Sequence, residues 1–329
     1  MHACMTVIFL MSQHLMRRTH RASNCEFRRK SASRHTPLLQ TVGARITVHG
    51  MAINGMEVVD SHVHLLPGRL GEKVRAFFDA GIGGRMQLAY PNDHDFVVDS
   101  LHREGVDTFW TLPYAHKPGV ARGLNQASAA TAQQFSEKPI QIVPGLTVHP
   151  GDDDAVSIVQ EGVDSMTLRV LKLHCSVGSF TIDDPKLKPV FSFANERRLP
   201  VIVHLGHNVN GRTEAEELPS IAKVSDDYPD LPMILAHCGH HSSHTALQLM
   251  KEHPSLYADL TPVVSEFPEV DVESLEHMSD RILFGSDAPN TAISVTDCLN
   301  WLTGMNLSSD ALSSIVGRNA LRLTSQVAT

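Results

Sequence analysis

Asp60, His62 and His64 stand two residues apart, and Lys172, His174, His204, His237 and Asp287 follow later in the chain, each near the end of a short apolar run. Neutral imidazole nitrogens and a carboxylate are ligands for a divalent ion of the zinc, iron, cobalt or nickel type. Side chains alternate across a strand, so His62 and His64 project together and can grip one ion. Asp60 is expected on the same face, holding a ligand histidine in one tautomer. A His-x-His pair alone arises often by chance. Its position at the end of a strand, with His204, His237 and Asp287 at the ends of others, makes it a candidate metal centre. An ion held there would acidify water, and Asp287 could both bind the ion and accept the proton.

Lys172 admits three readings: a carboxylated bridge between two ions, a free cation for a substrate carboxylate, or a paired structural charge. His174, His116 and His149 read as pocket wall. His240, His241 and His244 read as a solvated loop and first helical turn.

These residues converge only if the apolar runs form one closed sheet. Candidate strands fall at 57–64, 106–113, 140–148, 168–174, 200–206, 232–238, 255–260 and 281–287. Helical segments are read between them at 93–104, 119–137, 186–198, 213–227, 242–252 and 308–323, with 65–92, 113–122, 174–185 and 206–213 as loops. Alternating strands and helices predict an α/β fold with a parallel sheet. Eight units over about 270 residues match a (β/α)8 TIM barrel, whose active sites lie at the carboxyl ends of the strands. An open doubly wound sheet would leave the histidines too far apart to share an ion.

Composition narrows the function. Residues 1–50 hold eight Lys/Arg against one acid, Glu26, leaving 20 basic and 35 acidic residues in the rest. An acidic body gives no footprint for nucleic acid, and no apolar run approaches the length of a membrane span. The expected partner is a small-molecule substrate, and barrels of this kind often form homo-oligomers. Residues 1–50 read as a disordered basic extension, either a mitochondrial presequence or an overextended start with Met51 or Met56 as the true beginning, and residues 51–329 as the barrel. Five cysteines, with no CxxC pair, fit free thiols in a reducing, cytoplasmic setting, mitochondrial if the extension is a presequence.

Six stretches together resemble the amidohydrolase superfamily, most closely the amidohydrolase-related branch of metal-dependent hydrolases and non-oxidative decarboxylases. They are Val59–His64, Val170–His174, Val201–His204, Ile234–Gly239, Ile282–Asp287 and Ile315–Leu323. The resemblance runs from about residue 56 to residue 324 and implies an ion held by His62, His64, His204 and Asp287, with His237 polarising or orienting the attacked group. In binuclear relatives the residues matching His204 and His237 hold a second ion and that matching Lys172 is the carboxylated bridge. Every binuclear position is filled, but the pattern is nearer the mononuclear branch, so one divalent ion is expected, zinc the first choice, and two if Lys172 is carboxylated. The expected reaction is hydrolysis of an amide, lactone or related carbonyl. The alternative is decarboxylation on the same site, for which Lys172, Arg122 and Lys117 are candidate cations.

Overall fold

The computed structural model describes residue 53 and residues 55–82, 87–206, 209, 211–261 and 270–328. The expectations for residues 1–50 lie outside the described residues. Eight parallel strands form one sheet in sequence order: β1 (Val59–Val63), β2 (Thr108–Thr111), β3 (Gln141–Thr147), β4 (Val170–Leu173), β5 (Val201–Val203), β6 (Met233–Leu235), β7 (Leu256–Asp259) and β8 (Ile282–Leu283). Hydrogen bonds from Ser61 N to Phe284 O (2.9 Å), Asp287 N to His62 O (2.9 Å) and His64 N to Ala288 O (2.8 Å) join the last strand to the first. The fold is the expected (β/α)8 TIM barrel.

Alternation along the strands divides the core in two. Val59, Trp110, Leu112, Val170, Ile202, Ile234 and Leu283 pack together, wholly buried, inside the barrel. Phe109, Leu146, Leu171, Val201, Val203, Met233, Leu235 and Ile282 join the larger apolar cluster with the helices. Each such side chain contributes about 1.5–3 kcal/mol by leaving water. Two glycines permit close approaches. A Cβ on Gly145 would lie 2.7 Å from Thr111 O, and one on Gly317 would lie 2.0 Å from Glu57 O. The second contact seats the C-terminal helical segment on the residues that lead into β1.

All six expected helical segments are present, five with shorter bounds and the last running on to Ser325. The last divides into Ser309–Ser313, a π-helical turn at Ser314–Arg318 and Asn319–Ser325, with the Ser308 side chain accepting from Ala311 N as its cap. The stretch 65–92, read as loop, instead contains a helix at Gly68–Ile82. Leu70, Val74, Phe77 and Phe78 recur at helical spacing there. Interspersed glycines, and the absence of an acidic residue in the first turn, masked that period. Further helices occupy Ala155–Ser165, Val272–His277 and Val295–Gly304. Among the described residues no helix is long and apolar enough to cross a membrane.

Candidate metal centre

Strands β5, β6 and β8 are only two or three residues long because the chain leaves the ladder where the polar side chains begin. Past β6 the backbone enters the left-handed region at His237 (φ 56°), Cys238 (φ 47°) and Gly239 (φ 76°), and past β8 at Asp287 (φ 64°). For a residue bearing a Cβ this costs about 1–2 kcal/mol and needs fixing contacts. His237 N donates to Asp259 Oδ1 (2.8 Å), Asp287 N to His62 O (2.9 Å), and Asn290 N to Asp287 O (3.1 Å). Two of the expected site residues therefore rest on strained backbone braced by the barrel.

His62, His64 and Asp287 offer one ligand atom each, all within 4.8 Å of one another. Asp287 Oδ1 lies 3.3 Å from His64 Nε2 and 3.9 Å from His62 Nε2. Lys172, wholly buried, places Nζ 3.0 Å from His62 Nε2. His237 and His204 lie alongside: the His237 ring is 5.2 Å from that of His62, and its Nε2 is 3.3 Å from His204 Nδ1. His174 stacks on His204 at 3.7 Å between centroids.

The tautomers follow from the partners. A carbonyl oxygen or ionised carboxylate can only accept, so the ring nitrogen facing it carries the proton. His62 Nδ1 meets Asp259 Oδ2 (2.8 Å), His64 Nδ1 meets Leu112 O (2.7 Å), His237 Nδ1 meets Thr261 O (2.6 Å) and His204 Nε2 meets Gly206 O (2.8 Å). In each neutral ring the other nitrogen keeps a lone pair, directed at the neighbouring ligand atoms. Four lone pairs and a carboxylate face one another, with Lys172 the only cation in contact among the described residues. Such acceptor-rich donor sets fit a divalent ion.

Burial lowers His62 to about 3, with the Lys172 charge second, and lowers His237, and lowers His174 and His204 well below the ordinary histidine value. Burial alone would raise the Asp287 carboxyl; the neighbouring imidazoles of His64, His62 and His237 outweigh that and hold it well below the usual carboxylate range. Asp259 follows the same balance, dominated on the lowering side by His62. Lys172 falls to about 8 through burial, opposed by Asp259 and Asp287.

Three residues depart from their expected places. The register of β1 shifts between Asp60 and Val63, so Asp60 no longer shares a face with His62 and His64. Its carboxylate accepts from His62 N (3.1 Å), Ser286 N (3.0 Å) and Ser286 Oγ (2.5 Å), which ties β1 to the turn bearing Asp287. Burial raises it to about 7 against those bonds. His240 is buried rather than solvated, its Nδ1 3.1 Å from Glu214 Oε1. Arg122 pairs with Asp154 (2.5 Å) and with Glu161.

Asp259, Thr261 and Tyr114 carry parts that the sequence reading did not assign. Asp259 orients His62, and its Oδ1 accepts from both His237 N and Thr261 Oγ1. The signal was present: Asp259 ends an apolar run as the histidines do. Tyr114, past β2, sets its ring edge-on to His64 (5.4 Å, 89°) and 5.1 Å from His174, with its hydroxyl raised by burial and by Asp287.

Residues 59–323 match a family model described as amidohydrolase. No curated protein matches the chain. Solved structures of similar shape include an uncharacterised TIM-barrel protein of Bordetella bronchiseptica, 19% identical over 83% of this chain and 99% of that one, with a TM-score of 0.68. Another is 4-oxalomesaconate hydratase of Rhodopseudomonas palustris, 16% identical over 82% and 96%, TM-score 0.59. A third is 5-carboxyvanillate decarboxylase of Novosphingobium aromaticivorans complexed with manganese, 12% identical over 82% and 96%, TM-score 0.60. At such identities the likeness is one of fold.

Proposed function

Because the chain belongs to the amidohydrolase family, we propose that it is a metal-dependent hydrolase acting on an amide, lactone or related carbonyl of a small molecule. The observation that carries this reading is the convergence of His62, His64 and Asp287 within 4.8 Å. His62, His64 and Asp287 would hold the ion, and His204, beside His237, would complete its shell. A divalent ion there, zinc or manganese, supplies Lewis acidity and brings the pKa of water toward ~7.

The chain's own groups complete the reaction. Asp287, ionised, accepts a proton from the attacking water and returns it to the leaving group. His237 keeps Nδ1–H on Thr261 O, so its bare Nε2 accepts a hydrogen bond and orients that water. It would polarise an oxyanion only after gaining a proton, which burial opposes. The Tyr114 hydroxyl fits as a donor to the substrate.

Decarboxylation on the same site is the rival. It would need a free cation facing a second carboxylate, yet Arg122 is held by Asp154 and Glu161 and Lys172 by His62. Lys117 alone of the three candidates remains, so hydrolysis is favoured.

The test is elemental analysis of purified protein beside the His62→Ala/His64→Ala variant, then assay of ion-loaded protein on lactones and amides with carbon dioxide measured in parallel. Metal lost in the variant, with hydrolysis abolished by Asp287→Asn, supports the proposal. Carbon dioxide release without hydrolysis replaces it with the rival. No bound metal after reconstitution with zinc, manganese or cobalt overturns both.

A further inference from the structure

The lone pair of His62 Nε2 has two claimants. Asp259 Oδ2 takes the proton on Nδ1, so Nε2 is the nitrogen turned toward Asp287 and the one a metal ion would use. The same atom lies 3.0 Å from Lys172 Nζ, and among the described residues this is the one hydrogen bond of that amine. A lone pair can receive an amine N–H or coordinate an ion, not both.

The strand does not let Lys172 step aside as a whole. Its backbone pairs with Thr147 on β3 and Ile202 on β5, and its carbonyl accepts from Thr147 Oγ1 at 2.9 Å. Only rotation of the side chain can free Nε2, and the residue is wholly buried. Val170, two residues back on the same face of the strand, belongs to the apolar cluster inside the barrel with Ile202 and Ile234.

We propose that Lys172 is a tethered competitor for the ion: its amine occupies the His62 lone pair in the ion-free protein, and an ion loads only by displacing it. This rests on the metal-dependent reading above and concerns how strongly and how fast the ion is held. It opposes the carboxylated-bridge reading of the same residue, which makes Lys172 a ligand and has the opposite sign. A competitor weakens and slows loading and makes the ion exchangeable. A bridge strengthens loading and depends on dissolved carbon dioxide.

The experiment compares wild type with Lys172→Met, which keeps the length and apolar stem of the side chain, and with Lys172→Gln, which keeps a neutral donor. Full-length proteins stripped with chelator are titrated with zinc and with manganese by calorimetry and chelator competition, with and without bicarbonate. Thermal unfolding establishes that each variant is folded. One buried hydrogen bond is worth about a factor of ten in an equilibrium constant. Lys172→Met is therefore expected to bind the first ion at least about tenfold more tightly and to load faster, with Lys172→Gln in between. Affinity within twofold of wild type overturns the proposal. Weaker binding by Lys172→Met, with bicarbonate-dependent binding in wild type, overturns it in favour of the bridge. If wild type and both variants all fail to bind either metal, the metal-dependent reading falls and takes this one with it. Binding by wild type without the gain leaves that reading standing and removes this one alone.

Discussion

Acidifying the ion-free protein from pH 7 to pH 5 should destabilise it, and the size of the loss can be worked from the buried imidazoles. His62 has an ordinary value of 6.5 and a folded value of about 3, so the unfolded chain takes up the proton first. Stability is then full above about pH 6.5 and is lost as pH falls toward 3. Between pH 7 and pH 5 that loss is about 2 kcal/mol for His62. His174 and His204 are lowered by burial in the same direction and add to this loss. His237 adds in the same direction.

Asp60 works against them. Its folded value is about 7 against 3.8, so the folded chain binds this proton first and gains about 2 kcal/mol as pH falls from 7 to 5. His62 and Asp60 then nearly cancel, the net loss comes from His174, His204 and His237, and in Asp60→Asn, where the offset is gone, the loss is at least about 2 kcal/mol. Urea unfolding at each pH, in chelator, measures both. A midpoint that is flat or rising from pH 7 to pH 5 in Asp60→Asn would refute the assignment of neutral, buried imidazoles.

Three other substitutions follow from the geometry. Asp259→Asn keeps the shape but loses the anion that fixes Nδ1–H on His62, so metal affinity should fall about 10- to 100-fold in calorimetry while the fold persists. Gly317→Ala would drive a methyl into Glu57 O at 2.0 Å, and thermal unfolding should show a loss of about 2–4 kcal/mol or an altered seam between the two chain ends. Tyr114→Phe should leave metal content and thermal stability unchanged while raising KM on whichever substrate the lactone and amide panel yields. Unchanged kinetics would remove the hydroxyl from substrate contact.

Much of the fold was legible because strands in a closed parallel barrel are buried on both faces and read as short β-branched runs. Val201–Val203 is such a run, with His204 directly after it, and the apolar run Met233–Ala236 leads in the same way into His237. The ligand trio could be read for the same reason. The misreadings have physical causes. Strict alternation placed Asp60 beside His62, but one register shift in β1 sends it to Ser286. The helix Gly68–Ile82 was hidden by its own glycines. His240 looked solvated because nothing in local spacing announces a left-handed run, which folds that ring onto Gly206 and Glu214. Asp259 lacked a histidine beside it to draw notice.

The seam between β8 and β1 also sets a timetable. His62 and Asp287 are separated by 224 intervening residues yet share a backbone hydrogen bond and, by proposal, an ion. A chain emerging from the ribosome displays His62 and His64 early and lacks Asp287 until nearly the whole barrel has been made. The ion cannot nucleate the fold; it can only reward a finished one. The young chain must also keep a pair of exposed imidazoles from capturing stray metal in the meantime. Such late closure across the full length of the domain is slow by nature. A pulse of metal during synthesis should therefore be taken up only after the last strand is complete.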